Sequence, residues 1–205
     1  MMKQLSIFLH LILIVLFNSK SFANSELSNK VSLGFGMASH GFSQLESAFP
    51  EDEVGTGSAS ILIIQGQYEG FTELDKSFFG TLSFSGIGGE VEKYYSMTGG
   101  MKYYFSKFGT KAKLIDDNFF LDIQPKFTYY LGWELGVASV VYQANDEVRS
   151  DLGVLFGGLG GVSYSANAKT SYSFELHILK GQGVETESMD TQVLFGITYY
   201  VEPLF

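Results

Sequence analysis

The feature that most restricts the fold is a side-chain alternation of period two that starts near Lys30 and recurs to the end of the chain. That period belongs to a strand, whose successive side chains leave on opposite faces. The last segment shows it best. Val193, Phe195, Ile197, Tyr199 and Val201 share one face, and Gln192, Gly196, Thr198, Tyr200 and Glu202 share the other. Seven earlier segments divide in the same way, at about 30–40, 58–69, 77–86, 91–105, from 118 onward, 151–164 and 170–180. The first sets Val31, Leu33, Phe35 and Met37 against Ser32, Gly34, Gly36 and Ala38, while in the second Ile61 and Ile63 blur the phase of Leu62 and Ile64. The fifth alternates from Phe119 through Leu131 and on to Val137, too far for one membrane crossing. Either that strand projects beyond the bilayer or Pro125 breaks it, and a bulge is expected at the proline because it gives no ladder hydrogen bond.

The two faces decide which solvent each meets. A soluble sandwich or ligand-carrying barrel turns its large residues inward and a charged face to water. Here the small face is mostly Gly, Ser, Thr and Gln, a poor solvent surface but a suitable lining for a narrow lumen. Eight strands enclose an interior that side chains just fill, so eight large faces of Phe, Tyr, Ile and Leu must point outward, into lipid. Hydrocarbon offers backbone groups no water, so such a sheet must close completely. Aromatics also bunch near strand ends, with Tyr68, Phe78, Tyr103, Phe105, Phe119, Tyr164, Tyr172, Tyr199 and Phe205 toward one end and Phe84, Tyr95 and Tyr129 toward the other, as girdles at two headgroup levels would. The reading is an all-β, eight-stranded, antiparallel up-and-down transmembrane barrel.

The N-terminus fits an exported chain. Met1-Met2-Lys3-Gln4, the apolar run Leu5 to Phe17 and the small-x-small ending Ser21-Phe22-Ala23 make a signal peptide over 1–23, leaving a barrel domain over 24–205. Loss of Lys3 and Lys20 with that leader takes the formal charge from −9 to −11, which disfavours nucleic acid as a partner. No cysteine is present, so no disulfide staples the fold and no lipoprotein anchor is expected. With both termini periplasmic, external links fall at about 41–57, 87–90, 140–150 and 181–190, and carry Glu46, Glu51, Asp52, Glu53, Glu90, Asp146, Glu147, Glu185, Glu187 and Asp190. The periplasmic link 106–117 instead holds Lys107, Lys111 and Lys113.

Lumen-facing charge is the candidate chemistry: Lys102, Asp122, Lys126, Glu134, Glu175 and His177. If Phe105 lies opposite Phe119, the antiparallel register sets Lys102 against Asp122 as a cross-strand ion pair. Glu175 then seeks Lys126 across the lumen, with room left by Gly157, Gly161 and Gly196, because an unpaired buried charge costs several kcal/mol. Such a network is either a polar plug or a gate whose partner switching opens a narrow pore. Catalysis by a His with a nearby Ser and an acid is weakly supported. Ser39-His40 sits at the outer rim, and His177 is followed two residues on by Leu179. Glu51-Asp52-Glu53 matches no cation-loop spacing. The GGLGG run at 157–161 lies inside a strand with no helix or Lys-Ser/Thr after it. No catalytic, cofactor-binding or metal-ligating set is therefore expected.

The stretch GGMKYYF (99–105), the Gly-rich GVLFGGLGGVSY (153–164) and a last strand ending on Phe205 carry a resemblance to a known group. The chain resembles the small outer-membrane β-barrels of Gram-negative bacteria, OmpA-, OmpX- and OmpW-like, over its whole mature length. The resemblance implies residence in the cell outer membrane. It implies contact with outer-membrane lipid and lipopolysaccharide, and passage through the barrel-assembly machinery. In that family a terminal Phe behind alternating apolar residues is the insertion signal, so Tyr199, Val201 and Phe205 take that role, with Pro203 departing from the pattern. The expected function is that of a monomeric outer-membrane protein of structural or surface-interaction type. A porin-like channel for small or hydrophobic solutes, a lipid A-modifying enzyme and a soluble secreted barrel are the alternatives, in that order.

Overall fold

The computed structural model describes residues 25–44, 56–85, 91–106, 109–116, 119–144, 147–184 and 186–201. Residues 1–24, which hold the expected signal peptide, Lys107, Phe205, Asp146, Glu185 and the acids of 45–55 and 86–90 lie outside the described residues. The strands are β1 (Ser25–Leu27), β2 (Asn29–Gln44), β3 (Thr56–Glu73), β4 (Lys76–Ser85), β5 (Val91–Tyr104), β6 (Ala112–Asp116), β7 (Phe119–Ile123), β8 (Phe127–Ala144), β9 (Glu147–Ser165), β10 (Thr170–Gln182) and β11 (Thr186–Val201). Eight of them close one antiparallel barrel in the order β10-β11-β2-β3-β4-β5-β8-β9, with β9 pairing back to β10. The seam between the first and last barrel strands runs from Thr186 opposite Gln44 to Val201 opposite Asn29. The expected eight-stranded up-and-down barrel is the observed one.

The large faces point out. Leu33, Phe35 and Met37 on β2, Leu131 and Trp133 on β8, and Phe195 and Tyr199 on β11 are all exposed, in one continuous apolar band around the wall. A band of this extent suits hydrocarbon, since soluble monomers rarely expose contiguous apolar patches of more than a few hundred Å². Register resolves the ambiguous phase of β3: Leu62 and Ile64 are 61% and 57% exposed, whereas Ile61 and Ile63 are 1% exposed and face the lumen. Aromatic residues gather at the end that holds both described termini, where Phe127 and Tyr164 rings lie 4.9 Å apart. Tyr129 belongs to this end too, because its carbonyl accepts the Phe105 N–H at 2.9 Å, and not to the far end, where Phe84 and Tyr95 meet edge to face at 6.3 Å.

Three features differ from expectation. Of the two alternatives for the fifth segment, the break at Pro125 is the one observed, and the expected bulge is absent. The chain leaves the wall there, and Phe119–Ile123 forms β7 in a separate three-stranded sheet with β1 and β6, while the barrel strand begins at Phe127. A proline cannot donate to a ladder, so the alternation continues across it but the pairing does not. Second, the 106–117 link is more than a turn: its Gly109, Thr110 and Ala112 are buried against the barrel mouth, with Gly109 N–H donating to Leu74 O at 2.6 Å. Third, the segments 140–150 and 181–190 are mostly strand, since β8 and β9 pair to Ala144 opposite Glu147 and β10 and β11 to Gln182 opposite Glu187. Asp190 is accordingly not in a loop but buried in the lumen.

Coiling of a narrow wall brings backbone of one strand under the inner face of the next. A Cβ on Gly157 would stand 2.0 Å from Ile178 O, and one on Gly100 1.9 Å from Trp133 O. At Gly158, which faces out, the nearest atom would be 3.6 Å away. We therefore expect Gly157→Val to lose the folded, faster-migrating band of unboiled protein on a gel, and Gly158→Ala to keep it. Equal behaviour of the two would contradict this account of wall curvature.

Candidate functional site: the charged lumen

Inward positions on five strands bring an ionic cluster together near the terminal end of the barrel. Lys102 on β5 places Nζ 2.7 Å from Glu175 Oε1 and 3.8 Å from Glu69 Oε2, and donates to Gln67 Oε1 at 3.3 Å. Its ammonium also lies 4.7 Å from the Tyr130 ring centre and 5.1 Å from that of Phe79, both favourable cation–π positions. Tyr130 Oη donates to Glu175 Oε1 at 2.7 Å. Gly161 makes this possible, because a Cβ there would meet the Tyr130 ring at 2.7 Å.

His177 completes the group. Its Nδ1 lies 2.5 Å from Glu134 Oε1 and its Nε2 lies 2.9 Å from Glu175 Oε2. Two carboxylates facing two ring nitrogens match an imidazolium with two N–H donors. Glu134 is further held by Thr98 Oγ1 at 2.6 Å, and Thr98 by Thr81 at 2.6 Å. Below, Glu69 accepts from Ser77 Oγ at 2.6 Å and from Tyr104 Oη. Lys30 Nζ closes the cluster, donating to Gly109 O at 2.7 Å beneath the Phe71 and Tyr104 rings. Lys30, Lys102 and protonated His177 thus face Glu69, Glu134 and Glu175, a balanced set of buried charge.

Of the predicted lumen residues, Lys102, Glu175 and His177 are brought together and Glu134 joins them. Asp122 and Lys126 are not part of the cluster. Lys102 lies opposite Gly132, while Asp122 lies opposite Lys113 in the small sheet, because the Pro125 break moves the partner of Phe105 from Phe119 to Tyr129. Lys126 is exposed beyond the barrel mouth, so Glu175 finds Lys102 instead. Lys30 and Glu69 were legible only by phase: Lys30 alternates in step with Ser32 and Gly34, and Glu69 with Gln65 and Gln67.

No protein-family model and no curated protein sequence matches the chain. Among solved structures, Neisserial surface protein A aligns at TM-score 0.54 and 15% identity, covering 83% of this chain and 96% of that one. OprG of Pseudomonas aeruginosa aligns at 0.49 and 12%, covering 89% and 100%, and Ail of Yersinia pestis, solved with the heparin analogue sucrose octasulfate, at 0.47 and 13%, covering 84% and 99%. The fold is that of a small outer-membrane β-barrel.

Within this outer-membrane barrel fold a second cluster lies toward the far end. His40 Nδ1 pairs with Asp190 Oδ1, Tyr94 Oη donates to Asp190 Oδ2 at 3.0 Å, and Gln192 Nε2 reaches Tyr94 Oη at 3.5 Å. Placed at the rim by sequence, His40 is instead buried, and Ser39 faces outward because neighbours along a strand take opposite faces. The two cannot act on one atom. Ile61, Ile63, Ala38, Leu155, Leu179 and Leu194 pack around Tyr94 as an apolar group beside this cluster, and Gln192 lies directly opposite His177 of the ionic cluster on the paired strand. Among the described residues no group of His, Cys, Asp and Glu could hold a metal ion. Tyr199 faces outward on β11 and Val201 ends that strand.

Removing one charge from a balanced buried set leaves its partner unpaired, at a cost of about 3–5 kcal/mol. Lys102→Met is expected to lower urea stability of the detergent-folded barrel by that order. The double change Lys102→Met with Glu175→Gln should recover part of the loss. Additive losses in that cycle would show that the two side chains do not interact.

Proposed function

We propose that the chain is an integral outer-membrane protein of structural or surface-interaction type, a monomer whose lumen is a plug rather than a conduit. The observation that carries this reading is the burial of inward side chains at successive levels of the lumen among the described residues. Gly109, Thr110 and Ala112 cover one mouth with Leu27, Phe71, Phe79, Tyr104 and Leu159 packed behind them, and the ionic cluster, the apolar group around Ile61 and Ile63 and the His40–Asp190 pair are buried in the lumen. Permeation would require moving side chains that are hydrogen-bonded to one another across the axis.

Outer-membrane residence is supported by the continuous outward apolar band and the closed sheet, and on this reading the described termini lie at the periplasmic end. Lipopolysaccharide and the barrel-assembly machinery are its proposed partners. Tyr199, Val201 and Phe205 are the proposed insertion signal. No enzymatic role is proposed, since neither described histidine, His40 or His177, has a hydroxyl nucleophile beside it in the arrangement of a triad.

Planar-bilayer recording of the purified barrel is the deciding measurement. The plugged reading expects no discrete openings. Regular unitary steps abolished by deleting 109–112 or enlarged by it would transfer support to the narrow channel for small or hydrophobic solutes. Overexpression should also leave lipid A masses unchanged, and a new lipid A species would favour the enzyme reading instead.

A further inference from the structure

Outward positions of the wall are mostly apolar, and Lys180 is an exposed cation set among them. It lies on β10 in a row of directly opposed outward residues that crosses four strands: Gly41 opposite Met189, Met189 opposite Lys180, Lys180 opposite Phe156. A groove of about 640 Å³ follows this row, lined by Gly41, Phe156, Ile178, Lys180, Glu187 and Met189. Gly41 opens one end because it has no side chain. Lys180 is exposed, and it makes no ion pair or side-chain hydrogen bond among the described residues. Glu187 lies on the rim side of Met189, opposite Gln182, and leaves the ammonium on the membrane side.

The height of Lys180 names the counter-charge. Tyr172, in the aromatic set at the terminal end, lies on the same face of the same strand. At ~3.3 Å per residue and a tilt of ~40°, Lys180 stands ~20 Å above Tyr172, near the top of an apolar band about 25 Å tall. A lysine at that level lays its methylenes along apolar neighbours and raises its charge to the headgroups. On the reading of the chain as an outer-membrane barrel with periplasmic termini, those headgroups belong to the outer leaflet. We infer that the groove is a binding site for the phosphorylated glycolipid of that leaflet, lipid A, with an acyl chain along Phe156, Ile178 and Met189 and a sugar phosphate on Lys180. Complementarity supports this occupant: the protein carries a formal charge of −9, and Lys180 is the cation among the residues that line the groove.

Native mass spectrometry of the full barrel, purified in detergent and shown to be folded by its unboiled gel shift, tests the site with defined lipids. Lipid A bearing both phosphates should remain bound, and dephosphorylated lipid A should be retained about three- to fivefold less, the range of one exposed charge contact. Lys180→Gln should reproduce that loss. Gly41→Leu should reduce retention without touching charge, and should fold, since a Cβ at Gly41 has only Met189 O at 3.7 Å. Lys93→Gln, an exposed lysine on β5 outside this groove, should retain lipid A as the parent does. Unchanged retention in Lys180→Gln, or equal losses in Lys180→Gln and Lys93→Gln, would overturn the site. Equal retention of phosphatidylglycerol would overturn its assignment to the glycolipid. Protein that never shows a gel shift would instead overturn the outer-membrane reading on which the site rests.

Discussion

Closure of the sheet is the constraint on which the rest depends. A strand inside hydrocarbon has no water for its N–H and C=O groups, so each must find a partner in a neighbouring strand, and an open edge is not tolerated. The β11–β2 seam meets that demand over the full length of β11, from Thr186 to Val201. Closing a sheet of eight strands also sets its radius, and an interior of that width is filled by side chains. The close approaches at Gly100 and Gly157 follow, since a tightly coiled wall leaves no space for a Cβ above the next strand's carbonyl.

The closed wall divides the chain between two media. Outward residues are selected for lipid and inward residues must satisfy one another, which is why the buried charges occur as a balanced set. Lys102 of β5, Glu175 and His177 of β10, Glu134 of β8 and Glu69 of β3 are tied across the axis by bonds of 2.5–3.8 Å. Buried ion pairs return little net stability against apolar replacements, but an incomplete set is costly. The cluster therefore acts as a register device: a slip of β5 or β10 by one residue would turn Lys102 or Glu175 into lipid and strand its partner. Tyr104 and Tyr130 extend the same logic by covering carboxylate oxygens with hydroxyl donors while their rings pack with Phe71, Phe79 and Leu159.

Alternation made the barrel legible because a period of two, repeated eight times with one large face, has few other solutions. It also gave the inward phase of Lys102, Glu134, Glu175 and His177. What it did not carry was where pairing starts and stops. Phe119 to Val137 alternates without a flaw, yet Pro125 divides it between two sheets, and a side-chain pattern cannot report a missing N–H on its own. Asp122 and Lys126 were misplaced for that one reason. The opposite error placed Asp190 in a loop: acidic residues were read as solvent-facing, although Asp190 keeps phase with Gln192 and Gly196 and is buried against His40 and Tyr94. Polarity marks a loop only where the phase is also lost.

The interior is unequal along its axis, and this bears on where recognition takes place. At the terminal end, Lys30 is held by Gly109 O of the returning 109–112 segment, so the chain's own backbone serves as the last acceptor of the ionic cluster. Toward the far end Ile61, Ile63, Leu155, Leu179 and Leu194 form an apolar group in the lumen, and Gln192, opposite His177, leads on to Tyr94 and Asp190. The charged side chains are buried, which strengthens each ion pair relative to one in solvent. An opening at either end would expose one partner before the other and weaken the whole set at once. On the plugged reading proposed above, such a barrel favours rigidity of its wall over traffic through its centre, and leaves the outward surface and the rim as the places where its chemistry meets another molecule.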